Sequence, residues 1–378
     1  MPDAHCFFRF FLTACFILAC FPERDRVMAA DVPALSVVTD GGAVLLSQDE
    51  AFFKPFTEAS GTAITTSPKG DALEQLKQWR STSQPGADVI NLTSYEAEQA
   101  CDQSLLHSFT EQDIALGANG EPIMRDFFAD SLMDCAVPNV AWAALMVVKP
   151  QINKRKQARS WKDFFNVKGF PGKRSLKKSA RFTLELALLS AGVRGGDVYS
   201  LLSTERGQKQ AFSQLQKIKN QIVWWEDAKG SIAAFSADDV AMGMTTNGRL
   251  FHATVADGFN GVPVWAGHIY DFDYWGIPLS SKNQAQALAF VKFATSPERL
   301  AAQTGWMPYG PMRASSQGYI KTHKIGGMGM KPYVPTAQRQ FKGALKFNEG
   351  WWRSKAGVAL DGKFKVWLEG RDPFGGEE

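Results

Sequence analysis

The sequence predicts an α/β protein built as two lobes, and three observations carry that expectation. Strand-like and helix-like segments take turns over the first third of the chain, a pattern that implies parallel pairing with crossover helices. At 378 residues, with 45% hydrophobic and 21% charged residues, the composition is that of an ordinary globular protein, and the length exceeds what one core accommodates. Near the middle, "CAVPNVAWAALMVVK" (135–149) is a long extended run, where the chain is expected to cross between lobes.

The N-terminus comes first. "FFRFFLTACFILACF" (7–21) is apolar apart from Arg9, and "PERDRVMAAD" follows with Ala29 and Ala30. This is the layout of a secretory signal peptide over residues 1–30, with cleavage after Ala30 and an apolar run too short to span a bilayer. "ILAC" offers an alternative, acylation at Cys20. No later apolar stretch is long enough to cross a membrane.

"ALSVVT" (34–39) then reads as a buried strand, "AFFKPFTEAS" (51–60) as an amphipathic helix and "TAITTS" (62–67) as a strand. "DALEQLKQW" (71–79) reads as a helix and "ADVINL" (87–92) as a strand. Ligands of such sheets sit at the carboxyl ends of the strands. Helices are expected at "TLELALLSAG" (183–192), "TERGQKQAFSQLQKIK" (204–219) and "NQAQALAFVKFAT" (283–295). A further one is expected in "SPERLAAQTG", with Ser296 as N-cap, Pro297 at the first position and Gly305 as the stop.

Cleavage after Ala30 removes Cys6, Cys15 and Cys20 and leaves Cys101 and Cys135. An even pair in an exported chain is expected as one disulfide, with a nucleophilic Cys activated by His107 or another base as the enzymatic alternative. The net charge of +4 is concentrated between Lys149 and Arg181, where twelve Lys and Arg accompany a single acid, Asp163. No stacking pattern of the nucleic-acid type goes with it. Nucleic acid is therefore not an expected partner.

The stretch "GHIYDFDYWGIP" (267–278) carries the candidate site. As a strand it places Asp271, Asp273 and Trp275 on one face and Tyr270, Phe272 and Tyr274 on the other. Two carboxylates beside an indole suit a solvated edge, a site for an organic cation, or a metal site completed by His268. His5, His107, His252, His268 and His323 show no metal-ligand spacing, and "GFPGKRS" lacks the spacing of a phosphate loop.

The ordered set "AFFKPFTEASG", "GADVINLTS", "WKDFFNVKGFPGKRSL", "LELALLSAGV", "MGMTTNGRL", "YDFDYWGIP" and "GWMPYGP" resembles the polyamine-type (spermidine/putrescine) periplasmic solute-binding proteins of ABC transporters. The resemblance runs from about residue 35 to about 320. It implies a type II periplasmic-binding-protein fold, with two α/β lobes, a hinge and a ligand cleft. Lobe one is expected over 31–139 plus about 268–330, and lobe two over 140–267 plus 331–378. It further implies a monomer in the periplasm that needs no cofactor, binds a small-molecule amine and delivers it to an inner-membrane permease, with no catalytic turnover.

Such receptors hold ammonium groups with cleft carboxylates and aromatic faces, because an ammonium has only donors and a carboxylate only acceptors. The family's acid falls on Asp273, while Asp271 stands where a ring is usual. Asp40 is kept in "VVTDGGA", but its flanking rings are replaced by Thr39, Gly41 and Gly42; Thr246 replaces the ring before "NGRL". Lys178 and Ser179 stand where an acidic pair precedes the lobe-two helix. Thr93, Tyr95 and Tyr309 complete the cleft positions the resemblance implies. With the box depleted and one wall altered in sign, two ligand classes stay open. One is a polyamine or related small amine. The other is a zwitterionic or anionic nitrogen compound, such as an amino acid or opine, whose acid meets Lys178, Ser179 or Arg181.

Overall fold

Residues Ala34–Thr39 form β1 where the apolar run "ALSVVT" was expected to be a strand, and all but its first and third residues are buried. The structure, a computed structural model, describes residues 34–82, 86–128, 131–150, 157–337, 340–341 and 343–375. The expected signal peptide over 1–30, with Cys20, lies outside the described residues.

After β1, a helical run from Ala43 to Ser60 begins eight residues earlier than its amphipathic pattern suggests and includes a π-type segment at Asp49–Phe53. Next come β2 (Ala63–Pro68), the helix Ala72–Thr82 and β3 (Val89–Thr93). Strands β4 (Val137–Val148), β5 (Lys173–Lys177), β6 (Ile222–Trp225), β7 (Val240–Thr246) and β8 (Val262–Gly276) follow, then two-residue strands β9 (Gly310–Pro311) and β10 (Leu345–Lys346). One sheet runs in the order β2-β1-β3-β8-β4-β7-β5-β6, with β9 on β4 and β10 on β8. Pairing is parallel within the β2-β1-β3 and β7-β5-β6 groups and antiparallel where β8 and β4 join them.

The two long strands serve both halves. One core gathers Leu35, Phe52, Val89 and Leu92 with Ala141 of β4 and Phe272, Tyr274 and Trp275 of β8. A second gathers Leu176, Leu184, Phe212 and Trp352 with Ala144 and Met146 of β4 and Ile269 of β8. Both strands therefore pass from one lobe's core to the other's within three residues, at 141–144 and 269–272. This is the expected fold: two α/β lobes joined by crossover strands, with a cleft between them.

β8 starts five residues before Gly267, where the sequence suggested a boundary. Gly267 adopts φ 70° inside the strand, a conformation glycine tolerates at low cost. Its carbonyl accepts the Trp161 indole N–H at 2.8 Å. Ser296 occupies the expected N-cap position, but its hydroxyl donates back to the Phe293 carbonyl at 2.8 Å instead of capping the helix Pro297–Thr304.

Much of the basic run is engaged inside the chain. Arg174 of "GFPGKRS" is fully buried, its guanidinium donating to the carbonyls of Phe164, Phe170 and Gly172. Burying a charge is tolerable only with such donors satisfied. Lys173 pairs with Asp239 and Lys178 with Glu226. Cys101 and Cys135 form a disulfide, with Cα atoms 5.7 Å apart; each sulfur is thereby withdrawn from nucleophilic chemistry.

Candidate functional site

The carboxyl ends of β1, β2 and β3 converge on one cation. Asp40 follows β1, Lys69 follows β2, and Thr93 ends β3 as the cap of the helix Ser94–Asp102. The Lys69 ammonium lies 3.3 Å from Asp40 and 3.5 Å from Glu96. Burial opposes its charge, yet Glu96, Asp40 and Asp273 together hold it above its ordinary value. Thr93 and Glu96 cap reciprocally: the Thr93 N–H donates to Glu96 at 2.8 Å, and the Glu96 N–H donates to the Thr93 hydroxyl at 3.3 Å.

β8 adds the two aspartates. Asp273 is flanked in register by Thr93 on one side and by Val140 on the other, while Trp142 stands opposite Asp271. Asp271, Asp273 and Trp142 therefore share one face of the sheet. The other face of β8 carries the ladder His268, Tyr270, Phe272 and Tyr274, with Phe341 stacked on it. That alternation points the buried His268 ring away from the aspartates, where its Nδ1 meets the Trp265 carbonyl at 2.8 Å. His268 cannot complete a metal site with them.

The aspartates differ in state. Burial pushes the Asp271 carboxyl up to about 6, against the Ser94 hydroxyl and the Phe272 N–H, which donate to it at 2.6 and 2.9 Å. Burial likewise pushes Asp273 up to about 7; Lys69 opposes the rise, and the charges of Asp271, Asp40 and Glu96 add to it. Among the described residues, the half-buried Asp273 carboxyl has no hydrogen-bond or ion-pair partner. Three carboxyl groups, those of Asp40, Glu96 and Asp273, thus surround one ammonium, and this wall of the cleft has more carboxyls than cations.

A cavity of about 550 Å³ lies beside this wall. Gly41, Gly42 and the loop Trp306–Tyr309 line it from lobe one, Trp142 from the crossover, and Thr246–Arg249 from lobe two. Asp273, Asp40 and Arg249 all act electrostatically on the Tyr309 phenol, which burial and the two aspartates push upward and Arg249 pulls down. Tyr309 therefore stands between the acidic wall and an arginine. Arg249 lies in the first turn of the helix Asn247–Asp257, which Thr246 caps by accepting the Arg249 N–H at 3.4 Å. Its exposed guanidinium has no ion-pair partner among the described residues. Trp142 is backed by Phe182, whose φ of 70° is unusual for a residue with a side chain and which stacks on Phe347 at 4.6 Å.

Of the residues singled out from sequence, Thr246 and Tyr309 line this cavity and Asp40 and Asp273 act on Tyr309 from the wall beside it; Asp271, on the same face of β8, is engaged by Ser94, and Thr93 has a capping role. The structure does not bring Tyr95 or Ser179 to this cavity. Tyr95 lies under the Arg353 guanidinium at 4.8 Å and lines a separate recess of about 170 Å³. Ser179 precedes the helix Ala180–Ser190 and makes no side-chain cap bond. The acid-binding candidates Lys178 and Arg181 are paired with Glu226 and Glu349. Sequence reasoning passed over Lys69, Glu96, Trp142 and Arg249. For Arg249 the only signal was its place just after a capping Thr.

Residues 51–324 match the bacterial extracellular solute-binding protein family. The chain belongs to this family. It is a solute-binding protein of the ABC-transporter class, which takes up small molecules outside the cytoplasm and works with a membrane permease. A gamma-aminobutyric acid-binding protein of Pseudomonas aeruginosa is 31% identical over 339 residues, spanning 89% of this chain and 92% of the relative. An ABC transporter substrate-binding protein from Bradyrhizobium japonicum has the same fold, with a TM-score of 0.71 at 22% identity over 89% of this chain and 99% of its own. A spermidine/putrescine substrate-binding protein from Streptococcus pneumoniae superposes with a TM-score of 0.68 at 17% identity, covering 89% and 99%. The likeness to polyamine receptors is therefore one of fold.

Proposed function

We propose that this solute-binding protein is a receptor for a small zwitterion of the ω-amino-acid type, exported by the signal peptide over 1–30 and acting as a monomer. The ligand's ammonium would meet Asp273, with Asp40 and the face of Tyr309 beside it, and its acid would meet Arg249. One observation carries this reading. The lobe-one wall has more carboxyls than cations, and the lobe-two wall presents an arginine without an ion-pair partner among the described residues. A polyamine satisfies the first wall and is repelled by the second, whereas a zwitterion satisfies both. The relative named for gamma-aminobutyric acid, an ω-amino acid, supports the same reading.

Binding begins with the lobes apart. The ammonium docks on the acidic wall, and hinge motion at 141–144 and 269–272 brings Arg249 onto the acid, strips water from both charges and presents a joint surface to the permease. The test is a thermal-shift panel of ω-amino acids, α,ω-diamines, polyamines and opines, followed by calorimetry on the best ligand. A ligand at a thousand times its Kd adds about 4 kcal/mol to stability. An ω-amino acid is expected to stabilise most; a diamine that stabilises more than any amino acid overturns the reading.

A further inference from the structure

Asn247 opens the helix that carries Arg249 and is buried despite its polarity. Its amide is used on three sides. The oxygen accepts the Ala143 N–H of β4 at 3.0 Å, and the nitrogen donates to the carbonyls of Pro308 at 2.6 Å and Tyr333 at 3.3 Å. All three partners are backbone groups of fixed polarity, so the amide can sit only one way.

The positions of these partners matter for the cleft. Ala143 adjoins Trp142 at the point where β4 passes between the two cores, and Pro308 adjoins Tyr309 in the lobe-one wall. Two residues past Arg249, Phe251 is buried among Ala301, Ile320, Met330 and Val334. The start of the helix is thus clamped by a polar contact and an apolar one, and the arginine is the middle of the three residues between them. With the lobes together, Asn247 thereby ties the start of this helix to the backbone beside Tyr309.

We infer that Asn247 is a positioning residue that fixes the separation between Arg249 and the lobe-one wall, and so selects the length of the ligand. The inference rests on the ω-amino-acid reading. A ligand held at both ends by charge must match that separation, and misplacing one end loses the second contact as a whole. Discrimination of one methylene is typically worth about 10- to 200-fold, which a rigid separation can deliver and a loose one cannot.

The test compares the parent with Asn247→Asp and Asn247→Ala against unbranched ω-amino acids of two to six carbons by calorimetry. Asn247→Asp is isosteric and keeps the acceptor for Ala143, but it replaces the donating amide nitrogen with an acceptor oxygen facing two carbonyl oxygens; Asn247→Ala removes all three contacts. Both variants are expected to lose most of the parent's ratio between its best ligand and the next longer one, with the optimum displaced toward longer chains. An equal loss of affinity at every length, leaving the ratio unchanged, overturns the inference and makes Asn247 merely structural. A parent that binds no ω-amino acid defeats the ligand reading separately. In that case small-angle scattering of the unliganded proteins decides: the variants should have a larger radius of gyration, and an unchanged radius overturns the ruler.

Discussion

Asp271 and Asp273 lie two residues apart on the same face of β8, yet the Ser94 hydroxyl and the Phe272 N–H donate to Asp271 while Asp273 has no such donor among the described residues. The pair therefore divides its work. Asp271 is satisfied by the protein and braces the crossover strand. In the proposed function Asp273 is the one left for a ligand, half-buried at a cost that a ligand ammonium would offset alongside Lys69.

Asp273→Asn should weaken binding of an ω-amino acid by about 10- to 150-fold, the equivalent of one charge-assisted hydrogen bond at about 1.5–3 kcal/mol. Calorimetry should show this without a lower Tm for the unliganded protein, since the amide buries no charge. Asp271→Asn should bind far more nearly like the parent, because its amide oxygen still accepts from Ser94. Asp271→Ala should instead lower the unliganded Tm, by leaving two buried donors without an acceptor. Equal losses of affinity at both positions would sink this division.

Affinity should depend on pH through Asp273. Its carboxyl is raised from 3.8 to about 7 in the folded, unliganded protein, so a fraction must ionise to receive an ammonium. Affinity is expected to rise with pH through about 7, with protons released on binding, read by calorimetry in buffers of different ionisation enthalpy. The unliganded chain has the opposite sign. A raised folded value means this group's contribution to stability is fully present below the ordinary carboxyl value and is lost as pH rises through about 7. Ligand-induced stabilisation should therefore grow across the window in which unliganded stability falls, and a flat affinity profile would refute the assignment.

The parts legible in the sequence were those set by local periodicity and by counting. Alternation with Tyr, Phe and Trp identified β8 and sorted its faces, and an even number of mature cysteines pointed to Cys101 and Cys135. The missed groups depend on chain ends that meet only in three dimensions. Lys69 and Glu96 reach Asp40 because β2 and β3 flank β1 in the sheet, an order that periodicity does not encode. Arg249, a single exposed arginine in a first helical turn, reads like any surface residue until Tyr309 is seen beside it. Lys178 and Ser179 fall at cleft positions by alignment, but aligned position says nothing about which way a side chain turns, and Lys178 pairs with Glu226. Gly267 hid the start of β8 because a glycine with positive φ normally marks a strand end, and here the strand runs through it.

The disulfide closes a separation of 34 residues, worth about 3–4 kcal/mol on chain-entropy grounds. The mature protein should show no alkylatable thiol until it is reduced. Cys101→Ser with Cys135→Ser should lower the denaturation midpoint with ligand affinity nearly unchanged, because the bridge braces the lobe-one core and both sulfurs lie outside the cavity lining. A rapidly alkylated thiol in the native protein, or loss of binding on a par with loss of stability, would contradict this.

Arg249→Gln separates the two ligand classes most directly. The guanidinium is exposed and has no ion-pair partner among the described residues, so removing it should leave the unliganded Tm close to the parent's. Surface substitutions that break no contact usually stay within about 0.5 kcal/mol. If its role is to meet the acid of an ω-amino acid, the variant loses a charge-assisted contact and affinity falls by about 10- to 150-fold. A diamine of matching length should change the other way. In the parent its second ammonium faces Arg249, and in the variant it faces a neutral amide, so the repulsion is relieved and binding tightens. Competition calorimetry with 4-aminobutanoate and 1,4-diaminobutane on both proteins reads the two effects together. Opposite shifts would establish Arg249 as the residue that turns a polycation cleft into a zwitterion cleft; parallel losses would mean that it braces the cleft without reading the ligand.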